Sequence, residues 1–379
     1  MTAVRALLVI GTRPEAIKMA PVLQACRRSA SGVEPIVCFT GQHAQMLAQV
    51  ADYFGIVPDV DLNLMRLNQT LSGLTARALE GLDEAIGRYR PDCVVGQGDT
   101  TSVLAASMAA FYHRLPFVHV EAGLRTGDIQ SPWPEEFNRR VTGLTAALHC
   151  APTDRAAQNL LAERIPPQTV VVTGNTVIDA LLWAVHHERQ RDAVWRDKYA
   201  ILGDRRMVLV TGHRRENFGD NFDAMCDAIK TLSLRFGDVE FVYPVHLNPN
   251  AREPAFRILD GLANVHLIDP APYPEFVWLM DRSHLILTDS GGVQEEAPTL
   301  KKPVLVMRES TERQEAVDAG VARLVGASKA AIICEVASLL TDAAAYARCQ
   351  ANTNPYGDGH AAERIVTLIH ARRWHAAAT

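Results

Sequence analysis

The amino-acid sequence predicts an α/β protein of two doubly wound, Rossmann-like domains, each a parallel sheet with helices on both faces. The chain has 379 residues, above the roughly 250–300 at which a single hydrophobic core stops growing, so two cores are expected. Short, nearly continuous apolar runs alternate with helix-length segments along the whole chain, which is the pattern of strands buried on both faces. Hydrophobic residues make up 48% and charged residues 21%, a globular composition that leaves no room for a long disordered region.

Taken in order, six strands are expected at residues 7–10, 36–40, 93–96, 117–120, 148–151 and 170–173. Six more are expected at 207–211, 240–245, 265–268, 285–288, 304–307 and 322–325. Each set reads as one Rossmann-like half. The charged stretch 186–206 carries no strand signal and marks the join, and no Ser/Gly-rich or Pro-rich linker interrupts the chain. Segment 361–371 sets Ile365, Leu368 and Ile369 at helical spacing, as an amphipathic helix able to pack back on the first half. The expected domains are therefore 1–185 and 186–360, with a C-terminal helix in 361–379.

Composition also excludes several function classes. A formal net charge of −5 and a pI near 6.2 do not provide the broad basic field that nucleic acid or an anionic membrane requires. No apolar run approaches the ~18 residues of a membrane span, and the run 6–10 is too short for a signal-peptide core, so a cytoplasmic protein is expected. Cys26, Cys38, Cys93, Cys150, Cys226, Cys334 and Cys349 are odd in number and lack CxxC spacing, so neither disulfides nor a metal site are expected. There is no GxxxxGK[ST] loop for phosphoryl transfer. The first strand leads into Gly11-Thr12-Arg13-Pro14 rather than a GxGxxG turn, and Gly96-Gln97-Gly98 continues as Asp-Thr-Thr, so no nicotinamide cofactor is expected.

Ligands of open parallel sheets bind beyond the carboxyl ends of the strands, and here those positions are unusually polar. If the two carboxyl edges face one another across a cleft, carboxylates of one half meet a histidine and a glycine-rich turn of the other. In the second half, Asp289-Ser290-Gly291-Gly292 runs from a strand into a helix. Paired glycines there allow close backbone approach, and free N–H groups bind phosphate; the structural alternative is a tight turn N-capped by Ser290 or Asp289. Glu296, one and a half turns on, suits two vicinal ribose hydroxyls, or is a plain helix glutamate. Arg13 and Lys18 supply charge matching a diphosphate, and Arg313 is a third cation.

Asp99, Glu121 and Glu135 each follow a strand or sit in the loop 131–136. Grouped carboxylates in a dry cleft shift one another's pKa, producing the acid and base that proton transfer at carbon needs. Each also has a structural reading: Asp99 as a helix N-cap, Glu121 paired with Arg125, and Glu135 favouring a helix dipole. His213 lies at a strand end rather than on an apolar face, which suits a site residue or a structural hydrogen bond.

Six segments in order resemble the non-hydrolysing UDP-N-acetylglucosamine 2-epimerases: 11–21, Gln97-Gly98-Asp99-Thr100, 119–125, Pro132-Trp133-Pro134-Glu135-Glu136, 211–217 and Asp289-Ser290-Gly291-Gly292. The resemblance spans nearly the whole chain. It implies a GT-B architecture, a homodimer, no cofactor, and interconversion of UDP-GlcNAc and UDP-ManNAc (EC 5.1.3.14), supplying ManNAc for surface polysaccharide. It implies Asp99, Glu121, Glu135 and His213 as the catalytic group. Arg13, Lys18, Ser290, Gly291, Gly292 and Arg313 would hold diphosphate and sugar, Phe276 the uracil and Glu296 the ribose. A regulatory UDP-GlcNAc would contact Gln42, His43, Gln45, Gln69 and His246. Two departures stand out: Ala271 replaces a glutamine expected to read uracil, and Asn68 replaces an arginine expected before Gln69.

The chemistry agrees with that implication. The C2 hydrogen of a 2-acetamido sugar has no adjacent carbonyl to acidify it, so the C1–O bond must weaken first. Departure of UDP leaves positive charge at C1, the C2 proton becomes removable, and a 2-acetamidoglucal forms. Alternatives of related chemistry are an epimerase of a modified UDP-HexNAc, a hydrolysing 2-epimerase and a GT-B glycosyltransferase. A non-catalytic nucleotide-sugar sensor is the alternative outside enzymes.

Overall fold

The computed structural model describes residues 3–28, 30–41, 44–66, 69–350 and 354–372, with backbone only at 44–46. The chain divides into two compact units, Met1–Ala180 with Tyr356–Thr379, and Leu181–Pro355.

The first unit holds seven parallel strands: β1 (Val4–Ile10), β2 (Val33–Phe39), β3 (Val60–Asp61), β4 (Cys93–Gln97), β5 (Phe117–Val120), β6 (Ala146–Ala151) and β7 (Val170–Val172). Their order is β3-β2-β1-β4-β5-β6-β7, so the chain reverses direction across the sheet between β1 and β4, where Leu7 pairs with Val94. That reversal opens a crevice at the carboxyl ends of these two strands, where a ligand site is expected in such folds. Leu7, Val9, Cys38, Val94 and Phe117 from the strands and Leu82, Val103 and Ala106 from helices fill one side of the core.

The second unit holds β8 (Arg206–Thr211), β9 (Val239–Pro244), β10 (Val265–Ile268), β11 (Leu285–Thr288), β12 (Val304–Val306) and β13 (Ala322–Leu324), all parallel in the order β10-β9-β8-β11-β12-β13. Its reversal falls between β8 and β11, where Leu209 pairs with Ile286. Both units are thus doubly wound parallel sheets.

Twelve expected strands are present, three with the expected ends and the rest with ends moved by up to three residues; the thirteenth, β3, is a two-residue edge strand with too little sequence to give a pattern. The stretch 186–206 is not a bare join. It holds the end of the helix Thr176–Gln190, the helix Asp192–Lys198 and a 3₁₀ turn Ala200–Leu202. Trp278 stacks between Trp195 and Tyr199, at 6.4 and 5.5 Å, and its indole N–H donates to Asp192. Aromatic packing therefore builds this charged segment into the second unit, and the contact boundary falls at 180/181, inside a helix.

The helix Ala361–Ala371 returns to the first unit, where the Asp179 carboxylate accepts the N–H groups of Ala361 and Ala362, and Ile365 and Ile369 are fully buried. No single helix among the described residues is long and apolar enough to cross a membrane. The bent pair Lys329–Thr341 and Ala343–Cys349, angled at 105°, instead buries Ile332, Val336 and Leu339 in the second core.

Candidate active site

In the first unit the turn after β1 is packed too tightly for any side chain at Gly11: a Cβ there would stand 2.3 Å from Ser102 Oγ and 2.7 Å from Thr40 Oγ1. Thr12 N-caps the helix Arg13–Arg27 in a reciprocal capping box with Glu15. Glu15 is buried and accepts from the N–H groups of Gly11 and Thr12 and from the hydroxyl of Thr100. Burial pushes its carboxyl up to about 7, against the lowering effect of those three donors. One carboxyl group therefore ties the turn after β1 to the turn after β4. Glu15 is absent from the candidates above, although the Thr-x-x-Glu spacing marks its cap; its reach to Thr100, 85 residues away, has no sequence signal.

Asp99 follows β4. The N-cap of the next helix, Thr101–Tyr112, is Thr100, whose hydroxyl accepts Val103 N–H; Asp99 is therefore not the cap. Its carboxylate instead faces Arg139, with Oδ2 2.8 Å from Nε, and its carbonyl accepts from Asn138. Two residues of the helix Glu135–Thr145 so fix Asp99 from outside its own loop. Glu135 is the first residue of that helix and half-buried, where a carboxylate also favours the helix dipole.

Glu121 directly follows β5 and lies in the left-handed region, at φ 61°, a strained backbone for a non-glycine residue and frequent at functional sites. Arg125 does not pair with it, being committed to Glu163 at 2.8 Å. The partner is Lys18, whose Nζ lies 2.6 and 2.7 Å from the two carboxylate oxygens. Gln97, the last residue of β4, donates to Oε2, and Asn175, beyond β7, donates to Oε1 at 3.1 Å. The Glu121 side chain is only 7% exposed, so these donors replace its lost hydration. Beneath it, His119 Nε2 meets the carbonyl of Gly98 at 2.7 Å; burial drops this imidazole to about 3, so it acts as a neutral donor. Arg13 stands at the first position of its helix, half-buried.

In the second unit, His213 and Arg214 follow β8 and Asp289 follows β11. Asp289 is fully buried, and its Oδ2 accepts the N–H groups of His213 and Arg214, each at 2.8 Å, and the amide of Asn217 at 3.3 Å. Tyr243 on β9 donates to the carbonyl of Gly212 at 3.0 Å, holding the same turn from below. The His213 ring stacks on His246, with centroids 5.4 Å apart. Ser290 is the N-cap of the helix Gly291–Glu296 and makes no side-chain cap hydrogen bond; Asp289 is spent on the β8 loop instead.

Arg313 packs over Gly291, where a Cβ would sit 3.1 Å from its guanidinium carbon, and its Nε pairs with Glu295 at 2.9 Å. Gly292 has open space around it. Glu296 is buried and receives the hydroxyl of Tyr273 at 3.3 Å, and Phe276 lies half-buried in the same helix, Tyr273–Arg282. Of the regulatory candidates, Gln42, His43 and the side chain of Gln45 lie outside the described residues. Gln69 takes a hydrogen bond from Arg77 at 2.6 Å, and His246 is exposed. No group of three or more His, Cys, Asp or Glu side chains suited to a metal ion occurs among the described residues.

Residues 24–370 match the family model described as UDP-N-acetylglucosamine 2-epimerase. The chain is 52% identical over 373 residues to the UDP-N-acetylglucosamine 2-epimerase of Escherichia coli strain K12, covering 97% of this chain and 99% of that one. Among solved structures it resembles the UDP-GlcNAc 2-epimerase of Neisseria meningitidis bound to UDP-GlcNAc (TM-score 0.89, 45% identity, 96% of this chain and 99% of that one). It also resembles that of Methanocaldococcus jannaschii in complex with UDP-GlcNAc and UDP (TM-score 0.78, 31% identity, 96% and 99%). The two Rossmann-like units, with seven and six parallel strands, are those of a GT-B fold.

Proposed function

This chain belongs to the UDP-N-acetylglucosamine 2-epimerase family, and from that premise we propose that it interconverts UDP-GlcNAc and UDP-ManNAc without hydrolysis, by elimination and re-addition of UDP. The observation that carries the reading is the setting of Glu121: a buried carboxylate at a strand end, in a left-handed backbone, with Lys18, Gln97 and Asn175 converging on it.

In the forward direction the C1–O bond breaks and its electron pair leaves with UDP. A carboxylate takes the C2 proton, and the C2–H electron pair forms the C1–C2 double bond of 2-acetamidoglucal. A carboxylic acid then returns a proton to the opposite face of C2 while a UDP oxygen rejoins C1, so atoms and charge balance over the cycle. Asp99, Glu121 and Glu135 are proposed for these proton transfers. Arg139 lies 2.8 Å from Asp99 and Lys18 2.6 Å from Glu121, so a cation faces each of these two carboxylates.

His213, Arg13, Lys18, Ser290, Gly291, Gly292 and Arg313 are proposed to hold the diphosphate and sugar, Phe276 the base and Glu296 the ribose hydroxyls. The buried setting of Glu296 against Tyr273 supports a fixed acceptor there. Self-association as a homodimer is supported by Phe111, Tyr112 and Leu144, which are 62%, 68% and 80% exposed on the helices Thr101–Tyr112 and Glu135–Thr145. The epimerised sugar is proposed to supply ManNAc units for surface polysaccharide.

The test is to incubate the protein with UDP-GlcNAc alone in D2O and follow the C1 and C2 signals by proton NMR. A UDP-ManNAc signal with deuterium at C2 in both epimers supports the reading. Stoichiometric free UDP and ManNAc mark a hydrolysing enzyme, and a substrate left unchanged until an acceptor is added, then consumed with release of UDP and no deuterium at C2, marks a transferase.

A further inference from the structure

We infer that Asp289 is a positioning residue for His213, placed to receive its Nδ1–H so that the imidazolium form can meet a nucleotide phosphate through Nε2. This deepens the proposed function, since it rests on His213 serving the UDP. Two features carry it. Asp289 spends one carboxylate oxygen on the turn itself, accepting from His213 N, Arg214 N and Asn217 Nδ2. The other oxygen, Oδ1, is fully buried, lies 3.3 Å from His213 Nδ1 and takes no aligned hydrogen bond.

A buried carboxylate oxygen without an aligned donor is costly, and the group within reach is the ring of a residue whose backbone the same carboxylate already holds. Because the carboxylate fixes the His213 backbone, a small rotation of the ring suffices to align Nδ1–H with Oδ1. Neutral imidazole has one N–H; donating both to Asp289 and to a phosphate oxygen requires the doubly protonated ring. The anion and the carboxylate then flank the imidazolium, one on each nitrogen.

The surroundings set the resting state. Burial lowers the proton affinity of His213, Asp289 raises it, and the stacked His246 and neighbouring Arg214 lower it further. Tyr243 lies under the turn as a neutral donor, and Arg308 is occupied by Glu216. The ring thus rests neutral and gains its proton when a second anion joins Asp289 beside it.

Titration calorimetry with UDP at pH 8, in two buffers of different ionisation enthalpy, tests this. The unmodified chain should take up about one proton on binding UDP. Asp289→Asn keeps an oxygen for the backbone donors but turns an NH2 toward Nδ1; it should lose the proton uptake and bind UDP roughly tenfold more weakly. The double variant with His213→Asn should bind no more weakly than His213→Asn alone. Additive losses, or an Asp289→Asn chain with wild-type uptake and affinity, overturn the proposal. If Asp289→Asn does not fold, 15N NMR of the unmodified chain decides: a His213 ring that stays neutral when saturated with UDP overturns it. Failure of the unmodified chain to bind UDP sinks the nucleotide reading as well, whereas intact UDP binding with an indifferent Asp289→Asn sinks this role alone.

Discussion

Nζ of Lys18 lies 2.6 Å from one carboxylate oxygen of Glu121 and 2.7 Å from the other, joining the helix after β1 to the end of β5 across 103 residues of sequence. Lys18 reads from sequence as a phosphate-binding cation. Its position in the first unit makes it first the counter-ion of a buried carboxylate, and any phosphate it meets shares it with Glu121. Replacing Lys18 by Met removes the cation that stands 2.6 Å from Glu121. We expect a loss of about 2–4 kcal/mol of unfolding free energy in urea, as for other broken buried pairs, with C2 exchange reduced at least tenfold. A stability change below about 0.5 kcal/mol would mean the pair is loosely held in solution.

Asp99→Asn should keep the fold, because Asn138 still reaches the residue 99 carbonyl and Arg139 retains Glu136 at 3.2 Å. UDP affinity should stay within about threefold while C2 exchange falls by a factor of about 100 or more, the range for removal of a general acid or base. Retained exchange removes Asp99 from the mechanism.

Gly123→Ala should destabilise the first unit by about 2 kcal/mol or more. Its φ is 94°, and a Cβ would stand 2.2 Å from the carbonyl oxygen of Ala156, a backbone atom that cannot swing aside. Because Glu121 lies two residues earlier, turnover should fall with it. A urea midpoint equal to wild type contradicts this geometry.

Stability should decline on acidification below the neutral range. Burial holds His119 down to about 3 and His149 to about 4, against 6.5 in an unfolded chain. Between these values and 6.5 the unfolded state binds more protons, so the contribution is full above 6.5 and is lost as pH falls through that window. Glu15 has the opposite sign: its folded pKa of about 7 exceeds the 4.5 of an unfolded chain, so its contribution is full below 4.5 and is lost as pH rises through 7. Two histidines outweigh one glutamate between 4.5 and 6.5, which gives a net loss on acidification. His119→Phe should flatten the urea midpoint against pH in this range; an unchanged slope would mean His119 titrates normally.

What could be read in advance follows from how local each signal is. The strands are legible because a buried parallel strand must be apolar throughout, and the C-terminal helix because Ile365 and Ile369 face the core at helical spacing. The site residues stand out because they follow strand ends. Their partners do not: Lys18 with Glu121, Thr100 with Glu15 and Asp289 with His213 are brought together by the reversal of strand order in each sheet, across 103, 85 and 76 residues. Arg125 lies near Glu121 in sequence yet pairs with Glu163, because strand β5 sends Glu121 toward β4 and β7 while Arg125 lies on the following turn.

Exchange of the C2 proton through cleavage of the C1–O bond is tested most directly by oxygen labelling. UDP-GlcNAc carrying 18O in the bond between C1 and the β-phosphorus is equilibrated with the enzyme, and the β-phosphorus signal is read by 31P NMR. Elimination frees the β-phosphate, whose terminal oxygens become equivalent, so the recovered sugar nucleotides should carry label in non-bridging positions and deuterium at C2 when D2O is the solvent. Deuterium at C2 with the label retained wholly in the bridge would contradict the account.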